Sequence, residues 1–208
     1  MEPMIPLKVL QRLPAYLPLL KEKKQAGHVY TASSAIAAEL GLTEIQVRKD
    51  LATVSKGGRP KVGYVIVDLI HDIEKALGYD NINDAVLVGA GKLGRALMDY
   101  RGFREYGVNI VAGFDKNAPE NGTENGRPVY PMEKLEDLCK RMQIHMGIIT
   151  VPAGAAQEVC DRLVAAGVIA IWNFAPVHLS TPDGIFVKNE NMAVALAVLS
   201  NYLKVRMQ

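Results

Sequence analysis

The chain has 208 residues, 49% of them apolar and 22% charged, which excludes a disordered chain or a disulfide-held miniprotein. Two cysteines, Cys139 and Cys160, have neither metal-clip spacing nor the density of a secreted disulfide framework, so a reducing, cytoplasmic setting is expected. With 24 basic and 22 acidic residues the net charge is only +2, so affinity for a polyanion has to come from a local patch.

The amino-terminal stretch is interrupted by Pro3, Pro6, Pro14 and Pro18, and no apolar run reaches the ~20 residues of a membrane span. Neither export nor a membrane partner is expected. Leu7, Leu10, Leu13, Leu17 and Leu20 follow the three-and-four spacing of one buried helical face. A second helix is predicted from a Ser33-Ser34 cap through Ile36, Ala37 and Leu40 to Gly41, a residue suited to a left-handed carboxyl-terminal cap. The next helix starts at Thr43, whose hydroxyl is placed to accept from the first turn, with Val47 and Leu51 inward. A glycine-rich hairpin, Ser55 to Lys61, then leads to an extended Val62–Val67 and a helix from Leu69 to Leu77 closed by Gly78.

From Ala85 the pattern changes. Short apolar strands are predicted at Ala85–Val88, Asn109–Phe114, Met146–Val151, Val168–Asn173 and Ile185–Val187, with helices near Lys92–Tyr100, Met132–Arg141 and Ala153–Ala166. Alternation of this kind makes a Rossmann-like, doubly wound parallel sheet, so the fold class is α/β. The Gly, Asn and Pro cluster from Asn117 to Pro128 reads as a surface loop. The last helix, Met192 to Val205, is apolar nearly all round and needs partners on several sides. The expected organisation is a helical domain over residues 1–80, a nucleotide-binding domain over 81–190 and a terminal apolar helix over 191–208.

Val86-Leu87-Val88 runs into Gly89-Ala90-Gly91-Lys92-Leu93-Gly94 and then Arg95-Ala96-Leu97-Met98, the strand, glycine turn and helix of a dinucleotide fingerprint. Gly89 permits the tight turn, Gly91 lets a pyrophosphate approach the backbone, and Gly94 lets the helix pack on the sheet. The second strand ends at Asp115, whose carboxylate suits the two ribose hydroxyls of NAD, although Lys116 beside it could tolerate a 2′-phosphate. The glycines alone would serve any tight strand-to-helix turn; strand, turn, helix and acid together argue for a nucleotide. Support for catalysis is thin. Of the four histidines only His178 falls near the carboxyl edge of the sheet, where it reads as a loop residue, and no residues have metal-ligand spacing. No catalytic or metal site is expected.

With Val47 and Leu51 inward, the helix from Thr43 presents Ile45, Gln46, Lys49 and Thr53, with Arg48 on the flank. That face suits a major groove: Gln46 can pair with adenine, Lys49 or Arg48 can meet guanine or phosphate, and Ile45 can touch a thymine methyl. Helix, glycine turn, helix is the helix-turn-helix order, in which the second helix reads. The hairpin carries Lys56, Arg59 and Lys61 and no acid, so it could reach a narrow minor groove as a flexible wing.

This whole order resembles the Rex family of bacterial redox-sensing transcriptional repressors. The resemblance is carried by Arg12-Leu13-Pro14-Ala15-Tyr16, by Gln46-Val47-Arg48-Lys49-Asp50-Leu51, by Val62-Gly63-Tyr64, by Tyr100-Arg101-Gly102-Phe103, by Val151-Pro152-Ala153 with Ala156-Gln157, and by Asn173-Phe174-Ala175-Pro176. It implies a winged helix-turn-helix at the amino terminus and a homodimer, its terminal helix exchanged between subunits. Such a dimer binds an inverted-repeat operator in double-stranded DNA when NADH is scarce and leaves it when NADH accumulates over NAD⁺. Dinucleotide contacts are then implied for Gly89, Ala90, Gly91, Lys92, Leu93, Gly94, Asp115, Val151, Pro152, Ala153 and Asn173, with Tyr100 and Phe174 near the nicotinamide. Two departures stand out. The segment Ala52 to Gly57 lacks the aromatic and acidic residues of the family pattern, and Asn191 stands where that pattern has an acid facing the tyrosine aligned to Tyr100. An altered operator preference and an altered balance between NAD⁺ and NADH are expected. The competing readings are an NAD-dependent oxidoreductase, or a CoA-binding module like that of acyl-CoA ligases, with a helical amino-terminal domain.

Overall fold

The computed structural model describes residues 5–118, 123–124, 127–190 and 192–207. The chain divides into two compact units, Met1–Asn81 and Ile82–Gln208.

The first unit is built from α1 (Leu7–Leu10), α2 (Leu13–Gln25), β1 (Tyr30–Thr31), α3 (Ser33–Leu40), α4 (Glu44–Val54), β2 (Tyr64–Val65) and α5 (Ile66–Ala76). The expected single face from Leu7 to Leu20 is broken by a turn at Gln11-Arg12, which exposes Leu7 and admits Val9, Tyr16 and Leu19 to the core beside Leu13, Leu17 and Leu20. The cap of α3 is Ala32, with no side-chain bond from Ser33 or Ser34, whereas Gly41 ends the helix at φ +64° as its lack of a Cβ allows. Thr43 does cap α4, its hydroxyl accepting from the Gln46 amide at 3.3 Å. The extended segment after the hairpin shrinks from Val62–Val67 to Tyr64–Val65, because α5 already starts at Ile66 and buries Ile66, Leu69, Ile70 and Ile73. β2 pairs antiparallel with β1, and the loop between α4 and β2 is pinched by an isolated bridge from Arg59 to Gly63. This is a winged helix-turn-helix with a short, loosely paired wing.

The second unit contains β3 (Asn83–Val88), α6 (Lys92–Asp99), a 3₁₀ helix (Arg101–Tyr106), β4 (Val108–Phe114), β5 (Thr123–Glu124), β6 (Arg127–Tyr130), α7 (Leu135–Met142), β7 (Met146–Ile149), α8 (Ala153–Ala165), β8 (Ala170–Asn173), β9 (Phe186–Asn189) and α9 (Met192–Arg206). The strands form one sheet in the order β5-β6-β4-β3-β7-β8-β9, parallel throughout except for β5 at the edge. The stretch read as a loop from Asn117 to Pro128 therefore supplies β5 and the start of β6. Proline and few apolar residues hide a strand that lies at an edge. Side chains alternate across the sheet. Val86, Val88, Phe114, Ile149 and Ile171 face α7 and α8, while Ala85, Leu87, Ile110 and Ile148 face the α6 side with Met98. Burial on both faces explains why these strands read as continuous apolar runs.

α9 is helical as expected, yet among its described residues none is buried: Leu196, Val198, Leu199 and Tyr202 are all more than half exposed. Asn191 lies outside the described residues.

Candidate functional site

In a sheet of this order, the chain leaves β3 toward one edge to form β4 and toward the other to form β7, and the crevice between their loops is where such sheets take ligands. The glycine turn after β3 and the Thr150-Val151-Pro152 turn after β7 meet there. A Cβ on Gly89, which sits at φ +103°, would lie 2.9 Å from the Thr150 carbonyl carbon and from Val151. A Cβ on Gly94 would lie 2.1 Å from the Gly89 carbonyl oxygen. On Gly91 it would meet nothing within 4 Å. The three glycines thus divide their roles: two close the packing of turn, helix and neighbouring loop, and the third faces open space at the amino terminus of α6. That open cradle fits a pyrophosphate, with Lys92 and Leu93 exposed beside it and the positive end of α6 behind it. Ala90 is buried within the turn.

Thr150 ties the two loops together. Its hydroxyl donates to the Gly89 carbonyl at 2.7 Å and approaches the Val88 carbonyl at 3.1 Å. Sequence reading passed over it because a single threonine after a strand has no distinguishing pattern. Arg95, named in the fingerprint only as a helix residue, returns its Nε to the Ala90 carbonyl at 2.9 Å. The loop continues through exposed Pro152 and Ala153 into α8, so a second helix amino terminus opens on the same crevice.

Asp115 follows β4 directly at the carboxyl edge, half-buried, with one carboxylate oxygen accepting from the Asn117 amide at 2.9 Å. Asn173 is fully buried. Its amide nitrogen donates to the carbonyls of Ala175 and Val177 and to Asn189 Oδ1, and its oxygen accepts from the Ala175 amide. Its side chain therefore shapes the Phe174–Val177 turn rather than opening onto the crevice. An aromatic chain crosses the α6 face: Tyr100 meets Phe103 edge-on at 4.9 Å, Phe103 meets Trp172 at 5.7 Å, and Trp172 meets Phe174 at 4.7 Å. Trp172 is held by a bond from its Nε1 to Glu190 at 3.0 Å.

In the first unit, α4 turns Val47 and Leu51 inward and leaves Ile45, Arg48, Lys49 and Thr53 exposed, with Gln46 half-buried. The Thr53 hydroxyl donates back to the Lys49 carbonyl at 2.9 Å. Lys56, Arg59 and Lys61 are exposed on the wing, and Lys61 takes φ +63°, an unusual angle for a residue with a Cβ. Gly63 must be glycine, because a Cβ there would lie 2.2 Å from the Thr31 carbonyl oxygen.

The inner side of α4 also carries Asp50, only 2% exposed. Arg12 grips its two oxygens through Nε at 2.7 Å and a terminal nitrogen at 2.6 Å, and the Tyr16 hydroxyl donates at 2.7 Å. Burial alone would raise the carboxyl, but the bonds from Arg12 and Tyr16 and the guanidinium charge outweigh it and hold Asp50 below the usual carboxylate range. Burial and Asp50 together push the Tyr16 phenol upward, so it stays a donor. This clamp fixes α4 to Arg12 and α2. Asp50 has no such role in the sequence reading; the signal for it is an acid three residues after Val47, on the face the apolar pattern turns inward.

Fold and sites define a class: a winged helix-turn-helix protein carrying a Rossmann-type nucleotide unit. Family models match each part, "Putative DNA-binding protein N-terminus" over residues 4–52 and "CoA binding domain" over residues 80–177. Whole-length relatives include the redox-sensing transcriptional repressor Rex of Porphyromonas gingivalis, 40% identical over 96% of this chain and 92% of the relative. That of Carboxydothermus hydrogenoformans is 42% identical over 94% of this chain and 95% of the relative. Among solved structures, RSP in complex with β-NAD⁺ and operator DNA superposes with a TM-score of 0.92 at 32% identity, covering 99% of this chain and 95% of that one. RSP in complex with β-NADH gives 0.86 at the same identity, covering 99% of this chain and 97% of that one. The chain belongs to the Rex family of redox-sensing transcriptional repressors.

Proposed function

We propose that this protein is a homodimeric repressor that holds an inverted-repeat operator and releases it when NADH occupies the Rossmann unit, so that transcription follows the ratio of NADH to NAD⁺. The carrying observation is the open cradle at Gly91, set at the switch point of the sheet in a chain whose other unit presents a clamped reading helix. In this reading the turn from Gly89 to Gly94 holds the pyrophosphate, Asp115 the ribose hydroxyls, and Val151, Pro152 and Ala153 the opposite wall, with Tyr100 and Phe174 flanking the nicotinamide. Asn173 contributes by fixing the Phe174 turn. Arg48, Lys49, Lys56, Arg59 and Lys61 meet DNA, with Gln46 and Thr53 at the base edges.

The bound nicotinamide is a cation when oxidised and neutral when reduced. A dry apolar position with no carboxylate partner leaves the cation's lost hydration uncompensated, so the site favours the neutral form. Two linked sites require one shared two-state element, here the spacing of the paired DNA heads, with a coupling of ~1–3 kcal/mol. The exposed apolar helix α9 supports exchange between subunits, because a helix with no buried side chain in its own chain has to be covered by another. Action on DNA and the lack, among the described residues, of a helix able to span a membrane are consistent with a cytoplasmic setting.

The match to a CoA-binding family model supports a second reading, in which the Rossmann unit takes CoA. Calorimetry with NADH, NADPH and CoA separates the two: NADH is expected to bind tightest, with NADPH weakened by the carboxylate of Asp115 facing a 2′-phosphate. Heat only with CoA would establish the alternative.

A further inference from the structure

Beside the 3₁₀ helix Arg101–Tyr106 lies a cleft of about 340 Å³ whose aromatic side, Tyr100 and Phe103, belongs to the chain of rings described above and whose arginines have no role in that reading. Arg101, Arg104 and Arg127 line it, together with Phe103, Asn109 and Ile110, and no carboxylate does. It opens at the amino-terminal half of β4, six residues of strand before Asp115, or roughly 20 Å at ~3.3 Å per residue. The cleft and the ribose acid are therefore at opposite ends of the same strand.

The arginines are arranged for an anion. Asn109 donates to Asp84 at 2.7 Å, which fixes the direction of its amide, and the amide oxygen then accepts from Arg104 Nε at 3.1 Å. This relay aims one guanidinium while leaving its terminal nitrogens available. Among the described residues, none of the three arginines makes an ion pair. Like charges around one small cleft repel, and a bound anion converts that repulsion into charge-assisted hydrogen bonds. A carboxylate has two oxygens and satisfies one fork. A phosphoryl group has three terminal oxygens and can meet three.

We propose that this cleft is a second ligand site, for a small phosphorylated molecule, apart from the dinucleotide cradle. Its volume is at the lower end of the ~300–1,000 Å³ of small-molecule sites. Phe103 and Ile110 supply an apolar floor for the body of the ligand. Tyr100 also lines the cleft and leads through Phe103 to Trp172, the one tryptophan of the chain, so occupancy is expected to alter Trp172 emission.

The test is titration of inorganic pyrophosphate into the full chain saturated with NAD⁺, which blocks the cradle, followed by calorimetry and by Trp172 fluorescence. Saturable binding of one equivalent per chain is expected, weakened about tenfold or more in Arg101→Gln/Arg104→Gln. Arg127→Gln, at a separate element, is expected to weaken it in the same direction and decides the matter should the double variant misfold. Absence of saturable binding, or a Kd the variants leave unchanged, overturns the proposal.

Discussion

Gly91 and Gly94 are three residues apart and make opposite demands. Gly91→Ala adds a methyl that meets nothing within 4 Å, so the unit is expected to melt at the wild-type temperature while losing dinucleotide affinity, because the methyl occupies the cradle. Gly94→Ala drives a methyl to 2.1 Å from the Gly89 carbonyl oxygen, so stability and binding fall together. Thermal melting with and without NADH distinguishes them, and equal melting temperatures for both variants would contradict the assignment. Thr150→Val removes the hydroxyl that joins the two loops. It is expected to weaken NAD⁺ and NADH alike, by about tenfold, since it acts at the turn and not beside the nicotinamide, with Thr150→Ser restoring both. A change in the ratio of the two affinities would place Thr150 elsewhere in the mechanism. Asp50→Asn leaves Arg12 facing a neutral amide, at a cost of about 2–4 kcal/mol to the first unit. The carboxyl's lowered value also sets a pH window. Its contribution is fully present above the unfolded carboxylate pKa of ~3.9 and is lost as pH falls through the depressed folded value. Acid unfolding of the first unit in Asp50→Asn is therefore expected to show a flatter dependence below about pH 4.

At the scale of elements, what could be read in advance follows from how much each side chain says about its surroundings. The central strands announce themselves because they are buried on both faces, and α4 does so because Thr43, Val47 and Leu51 agree on one register. β1 and β5 have two residues each, too few to carry a period, and β6 opens on Arg127-Pro128; β1 and β6 exist through pairing with β2 and β4, partners distant in sequence that no local pattern reveals. The cradle glycines were legible, since each answers to backbone geometry near in sequence. Thr150 and the many bonds of Asn173 were not, because they join residues brought together only by the sheet. α9 was legible as a helix lacking a place to pack, and the structure leaves it so within one chain. For the proposed dimer, Leu196→Asp/Leu199→Asp is expected to give monomers in sedimentation while the Rossmann unit keeps its melting temperature. A dimer that persists in this variant would remove α9 from the interface.

At the scale of the whole molecule, one chain carries two units that could each serve many purposes alone. A glycine-cradled sheet is common to enzymes, and a winged helix with a basic wing is common to regulators; their union in one chain, matched along nearly its full length by redox-sensing repressors, is what gives the redox switch. The basic wing implies phosphate contacts, so operator affinity is expected to fall steeply with salt and to fall less steeply in Lys56→Gln. The most direct measurement is fluorescence anisotropy of a labelled palindromic promoter fragment, titrated with the protein alone, with saturating NAD⁺ and with saturating NADH. Release by NADH, with binding retained in NAD⁺, is the expected result. Equal operator affinity in the presence of NADH that calorimetry shows to be bound would contradict the account.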